Sequence, residues 1–229
     1  MNVAIVVAAG KGTRLGGNRP KQFLELGGIP VVIHTLRQFE RSREINEIIT
    51  VLPAEQTDSF LSLAKEFGLQ KPMRVVAGGE TRAQSVAHGL ALIGQAEIVA
   101  VHDGVRPFVS PDEIDQVVNA AGTTGAAILV APVTDTIKEI KEDRVIRTLP
   151  RADLRRALTP QCFRLELLKR AYQTLGEIEV NEVTDDSLLV ERLGVEVVAI
   201  EGSSRNIKIT QEEDLALAEA ILLSFVSGQ

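Results

Sequence analysis

The chain carries one cysteine, no tryptophan and one tyrosine, and aromatics make up only 3% of its 229 residues. A single thiol, Cys162, excludes an intrachain disulfide and suits a reducing compartment. Nothing in Pro160-Gln161-Cys162-Phe163 activates that thiol, which therefore reads as a buried, inert side chain. Three histidines, His34, His88 and His102, beside one cysteine give no metal-ligand spacing. No apolar run approaches a membrane span, and Met1-Asn2 leads into a strand-like run without the basic region of a signal peptide. A cytoplasmic location with no membrane partner is expected. A net charge of −6 and a pI near 5.2 argue against a surface that coats nucleic acid. With 45% hydrophobic residues and few rings, the core falls to Val, Ile, Leu and Ala, as in a parallel sheet covered by helices.

One local absence says more. No carboxylate precedes Glu25, while Lys11, Arg14, Arg19 and Lys21 crowd the same stretch. There the run Val3-Ala4-Ile5-Val6-Val7 breaks into a loop holding Gly10, Gly12, Gly16 and Gly17. Glycines let backbone N–H groups approach a phosphate, and the cations neutralise it. A basic loop on an acidic chain points to a discrete anion. Two familiar phosphate motifs do not fit. Lys11 is followed by Gly12, where a Walker A loop needs Ser or Thr. Gly10, Gly12 and Gly16 miss the dinucleotide spacing, and the second strand closes on Pro53 instead of an acid that would hold a ribose. The plain alternative is a βα turn whose glycines serve packing.

Strand-like runs at 3–7, 48–52, 73–76, 97–101, 126–131 and 195–200 alternate with segments of helical spacing. Pro30 precedes Ile33, Leu36 and Phe39; Phe60 to Phe67 stops at Gly68; Val86, Leu90 and Ile93 stop at Gly94. Ser110-Pro111-Asp112-Glu113 reads as an N-cap with proline in the first position, and a last helix runs from Glu212 to Phe225. The pattern predicts one α/β domain over 1–229, a Rossmann-like, doubly wound and mostly parallel sheet. Between the fifth strand and a later helix, Thr136–Ile140, the polar tip Lys141-Glu142-Asp143 and Arg144–Leu149 follow period 2. This predicts a projecting β-hairpin arm at about 134–154. Its Ile137, Ile140, Val145 and Ile146 make little core, so a twin in a homodimer would cover them; otherwise the hairpin folds flat on its own domain.

Ligands of open parallel sheets sit at the carboxyl ends of the strands. There the chain offers Gly78-Gly79-Glu80-Thr81-Arg82 and, after another strand, His102-Asp103-Gly104-Val105-Arg106-Pro107. Asp103 can help hold Mg²⁺ or accept bonds from polyol hydroxyls, and Arg106 can grip a phosphate; the two can equally brace the turn as a pair. His102 reads as a buttress of the strand end. Gly78, Gly79 and Ser85 can face a base edge, or the segment is simply a helix N-terminus capped by Thr81.

These motifs, together with Pro20-Lys21-Gln22-Phe23, Leu158-Thr159-Pro160-Gln161, Thr184-Asp185-Asp186 and Asn206-Ile207-Lys208, carry a resemblance that covers essentially the whole chain. The sequence resembles the cytidylyltransferases that activate phosphorylated polyols, most closely the 2-C-methyl-D-erythritol 4-phosphate cytidylyltransferase family of the non-mevalonate isoprenoid pathway. The alternative within the class is ribitol 5-phosphate cytidylyltransferase. The resemblance implies that CTP and methylerythritol phosphate are the partners, and that Ala8, Ala9, Gly10, Gly12, Gly79, Glu80, Ser85 and Gly104 contact the nucleotide. Arg14 and Lys21 would stabilise transition-state charge, and Arg151 and Lys208 would position the substrate phosphate. Asp103, Arg106, Thr136, Thr159 and Thr184 would surround that substrate. Mg²⁺ or another divalent cation would be bridged mainly by the phosphates, with Asp103 the candidate protein ligand. The arm would pair two subunits, so that Thr136 and Arg151 act in the partner's site.

Overall fold

The computed structural model describes residues 1–10, 20–177 and 183–226. Seven strands form one sheet in the order β11-β7-β10-β6-β1-β4-β5. In chain order these are β1 (Val3–Val7), β4 (Glu47–Leu52), β5 (Met73–Ala77), β6 (Ile98–Asp103), β7 (Ala126–Pro132), β10 (Arg155–Arg164) and β11 (Val198–Glu201). Short β2 (Glu25–Leu26) and β3 (Ile29–Pro30) pair with each other, as do β8 (Lys138–Lys141) and β9 (Arg144–Thr148). All neighbours in the large sheet are parallel except β10, which runs antiparallel to both β6 and β7.

The strand pattern explains the two helical layers. Successive side chains point to opposite faces, so Ala4 and Val6 pack on one side of β1 and Val3 and Ile5 on the other. The first face is covered by α1 (Val31–Arg41), α2 (Thr57–Glu66) and α4 (Pro111–Thr124), through residues such as Leu36, Phe60 and Val117. The second is covered by α3 (Arg82–Ala91), α5 (Leu165–Gln173) and α6 (Asp186–Glu191), through Val86, Leu168 and Leu189. Burying both faces is what makes these strands near-continuous apolar runs. A smaller cluster of Leu26, Val31, Val105, Ile209 and Ala218 seats α7 (Glu212–Val226) beside the sheet edge.

Three expectations meet the structure differently. The predicted parallel strands and the helices at Pro30, Ser110 and Glu212 are present, and Ser110 caps α4 while its own N–H donates to the Glu113 carboxylate. The arm is a separate two-stranded ladder in which every strand residue is exposed, turning through Glu142 and Asp143 at φ 48° and 63°. What the periodicity missed is β10, the strand that follows the arm where a helix was expected next. Pro160 has no N–H to give a ladder and argues against a central strand. The chain accommodates it by a register shift, from Ala157 opposite Val130 to Gln161 opposite Ile128, which leaves the proline inside the irregular stretch. Because β10 runs backwards, its first residues lie at the carboxyl edge of its neighbours, level with Pro132.

Candidate active site

At that edge β1 and β6 end level, Val7 beside Asp103. The backbones then close on each other: Gly104 donates its N–H to the Val7 carbonyl at 2.7 Å. A Cβ on Gly104 would stand 2.7 Å from that of Ala8, so a side chain there has no room. The turn after β5 is as tight, since a Cβ on Gly78 would lie 2.2 Å from Ala9 Cβ. Next to it α3 opens with Thr81 as its N-cap, bonded reciprocally with Gln84. Ser85 Oγ donates to the Thr81 carbonyl at 2.9 Å and accepts from the Gly79 N–H at 3.1 Å. The glycine turn is therefore held by side chains, and Gly79 and Glu80 line the adjoining cavity.

Asp103 is the electrostatic centre. Its Oδ1 accepts from Arg82 Nε at 2.9 Å, and its Oδ2 from Lys208 Nζ at 2.9 Å and Arg106 Nε at 3.2 Å. Burial alone would push this carboxyl up, but Arg82, Lys208 and Arg106 outweigh it and hold the group far below the usual carboxylate range. Arg82 is itself mostly buried; that opposes its charge, yet Asp186 and Asp103 more than offset the cost. Arg82 Nη2 donates to Asp186 Oδ2 at 2.8 Å, and Tyr172 OH donates to Asp186 Oδ1 at 2.5 Å. Arg106 Nη1 donates to the Asn206 carbonyl at 2.9 Å, fixing the segment that bears Lys208.

Behind Asp103, His102 is wholly buried and pushed down to about 3 by desolvation, so its ring is neutral at pH 7. Its Nε2 lies 3.1 Å from the Arg106 carbonyl, which can only accept, and its Nδ1 lies 3.0 Å from Thr159 Oγ1. Nε2 therefore carries the proton and Nδ1 accepts from the threonine. Thr159 Oγ1 in turn accepts from the Asp103 N–H at 3.2 Å. The chain of bonds ties β10 to the end of β6, and His102 acts as the expected buttress.

Two abutting cavities open on this cluster. The larger, about 490 Å³, is lined by Ala8, Ala9, Gly10, Lys21, Gly79, Glu80 and Ser85, with Asp103 and Lys208 at its inner end. Its volume is that of an ordinary small-molecule site. The smaller, about 200 Å³, is lined by Arg106, Thr159 and Thr184, again with Asp103 and Lys208. Arg82, Asp103 and Lys208 belong to both walls and so form the junction.

Most residues singled out in the sequence thus come together here. Gly104 packs beneath Ala8 without lining either cavity. Thr136 and Arg151 line neither; Arg151 Nη1 donates to the Thr134 carbonyl at 2.6 Å at the foot of the arm. Gly12 and Arg14 lie outside the described residues. Arg82 and Asp186 escaped the candidate set. A usable signal was present, since an arginine at the first position of a helix opposes the macrodipole and needs a reason to be there. Cys162 is buried and its thiol is pushed up by desolvation, as an inert cysteine should be.

Among the described residues no three His, Cys, Asp or Glu side chains group as metal ligands. Asp103, the candidate ligand, already faces three cations that would repel a divalent ion.

A doubly wound sheet whose carboxyl edge gathers cations between two joined cavities defines a nucleotide-handling transferase, built to bring two anionic ligands together. The comparisons with known proteins narrow the class: the chain belongs to the 2-C-methyl-D-erythritol 4-phosphate cytidylyltransferase family, whose model matches residues 2–224. A curated family member from Rubrobacter xylanophilus is 47% identical over 224 residues, covering 96% of this chain and 94% of its own. One from Bacillus velezensis is 44% identical over 221 residues, covering 96% and 95%. Among solved structures, 4-diphosphocytidyl-2C-methyl-D-erythritol synthase from Anaerococcus prevotii superposes with a TM-score of 0.87 at 34% identity, covering 97% of this chain and 96% of its own.

Proposed function

We propose that the protein transfers the cytidylyl group of CTP to the phosphate of 2-C-methyl-D-erythritol 4-phosphate, giving CDP-methylerythritol and pyrophosphate. The observation that carries this reading is the junction of Arg82, Asp103 and Lys208, shared by a nucleotide-sized cavity and a smaller one. An acceptor phosphate oxygen attacks the α-phosphorus of CTP; the bond to the bridging oxygen breaks, and pyrophosphate leaves with the electron pair. The acceptor already carries about −1.5 to −2 charges at pH 7, so no general base is required. The obstacle is repulsion. Two unit charges about 4 Å apart repel by about 4 kcal/mol at an effective dielectric of about 20, and several such pairs meet here. Catalysis then consists of neutralising charge and aligning the reactants.

In this reading the backbone of Ala8, Ala9, Gly10 and Gly79, with Glu80 and Ser85, holds the nucleotide, and Lys21 stabilises charge developing on its phosphates. Lys208, Arg106, Thr159 and Thr184 receive the polyol phosphate. Asp103 keeps three cations within reach of one another, which suits an organiser better than a metal ligand. Mg²⁺ arrives as the counter-ion of CTP, held mainly by its phosphates. Thr136 and Arg151 line neither cavity, and Ile140, Val145 and Ile146 of the arm are exposed, which supports a homodimer in which the arm serves the partner's site. A cytoplasmic location belongs to the same reading, supported by the single, buried thiol. The ribitol 5-phosphate alternative is not favoured by relatives of 40–47% identity that carry the methylerythritol name.

The test is pyrophosphate release with each of the four ribonucleoside triphosphates crossed with several polyol phosphates. CTP with methylerythritol phosphate should give the fastest turnover. Preference for ribitol 5-phosphate, or for another base, would overturn the assignment.

A further inference from the structure

Asp186 lines neither cavity, yet it is fully buried directly behind the junction. Its carboxylate accepts from Arg82 Nη2 at 2.8 Å and from Tyr172 OH at 2.5 Å, and its N–H donates to Gln161 Oε1 at 3.0 Å. Burying a carboxylate is costly, and a buried pair is weak evidence for stability, so its role has to be sought elsewhere. Arg82 supplies one. On its own, a guanidinium beside a single carboxylate closes on it with two parallel bonds. Here only Nε goes to Asp103, because Nη2 is drawn to Asp186 on another element. Nη1 has no partner among the described residues, and Arg82 lines both cavities.

We propose that Asp186 is a positioning residue for the transfer reaction: it stretches Arg82 between two carboxylates, so that the guanidinium stays at the junction where the two phosphates meet. The inference rests on the cytidylyl-transfer reading. Asp186 touches no ligand and acts through Arg82, so its loss bears on the reacting geometry more than on the affinity for either substrate.

The experiment compares turnover in wild type, Asp186→Asn, Tyr172→Phe, Arg82→Lys and the Arg82→Lys/Asp186→Asn double variant. Wild-type turnover of CTP with methylerythritol phosphate tests the activity; ratios between variants test Asp186. Asp186→Asn should lower kcat at least about tenfold, with KM for each substrate within about threefold. Tyr172→Phe, which spares the Arg82 pair, should stay within about threefold of wild type. In the Arg82→Lys background the same Asn substitution should cost less than about twofold, because its route of action is already gone. An equal loss in both backgrounds, or a kcat for Asp186→Asn within about twofold of wild type, overturns the proposal. If Asp186→Asn does not fold, Arg82→Lys decides: it keeps the charge but bridges two carboxylates poorly, and unchanged kcat there overturns the proposal equally.

Discussion

Lys21 and His102 show how differently two basic side chains serve one site. Lys21 lines the larger cavity, and the proposed transfer needs its charge most as the phosphates rearrange. Lys21→Ala should therefore lower turnover by at least about a hundredfold while CTP affinity, by calorimetry, weakens less than about tenfold. Equal losses in both would remove it from the transition state. His102 bears on stability instead. Its ring titrates at about 3 in the folded protein and near 6.5 when unfolded. Between those values only the unfolded chain takes up the proton, so stability is full above about pH 6.5 and falls as the pH drops toward 3. From pH 7 to 5 the wild type should lose about 2 kcal/mol more than His102→Gln in urea unfolding. Asp103 does not confuse that window, because its depressed carboxyl withdraws stability only as the pH falls below about 4. The roles of His102 and Cys162 were legible because each follows from burial at a strand. Arg82 stood out only as a cation in the first turn of α3, and Asp186 not at all: their pairing joins residues 104 positions apart, and no local spacing encodes it.

Among the elements, α4 and β10 mark the two ends of legibility. The N-terminus of α4 is written in Ser110-Pro111-Asp112-Glu113, and the structure shows Ser110 Oγ accepting from the Glu113 N–H at 3.2 Å while the Glu113 carboxylate accepts from the Ser110 N–H at 2.7 Å. Ser110→Ala should cost about 1 kcal/mol in urea unfolding and leave kcat unchanged, since neither Ser110 nor Glu113 lines a cavity. A change in kcat would mean that α4 is coupled to the site. The arm was legible for a similar reason: alternation and a charged tip are local facts. For β10 the local facts pointed the wrong way. Proline inside a central strand is tolerated only where the ladder is interrupted, and that interruption depends on what lies alongside. Yet this strand carries Thr159 to the cavity wall, so the least legible element is one the site depends on.

At the scale of the molecule, the homodimer proposed above predicts sharing between subunits. Lys21 lines a cavity of its own protomer, whereas Arg151 sits at the foot of the arm. Mixed dimers of Lys21→Ala and Arg151→Ala should regain about a quarter of wild-type activity if subunits exchange freely and one site per heterodimer is intact. Persistent inactivity in dimers shown to be mixed would confine both residues to one subunit. A last consequence follows from the order of strands. β6 and β7 never touch as partners; β10 stands between them, although it is made after both. A ribosome that has released the chain only through β7 therefore holds β6 with one edge bare and β7 with both, since β10 and β11 are still to come. Until those strands slide in, each can be zipped by any stray extended peptide, and chaperone capture during synthesis should concentrate at that interval.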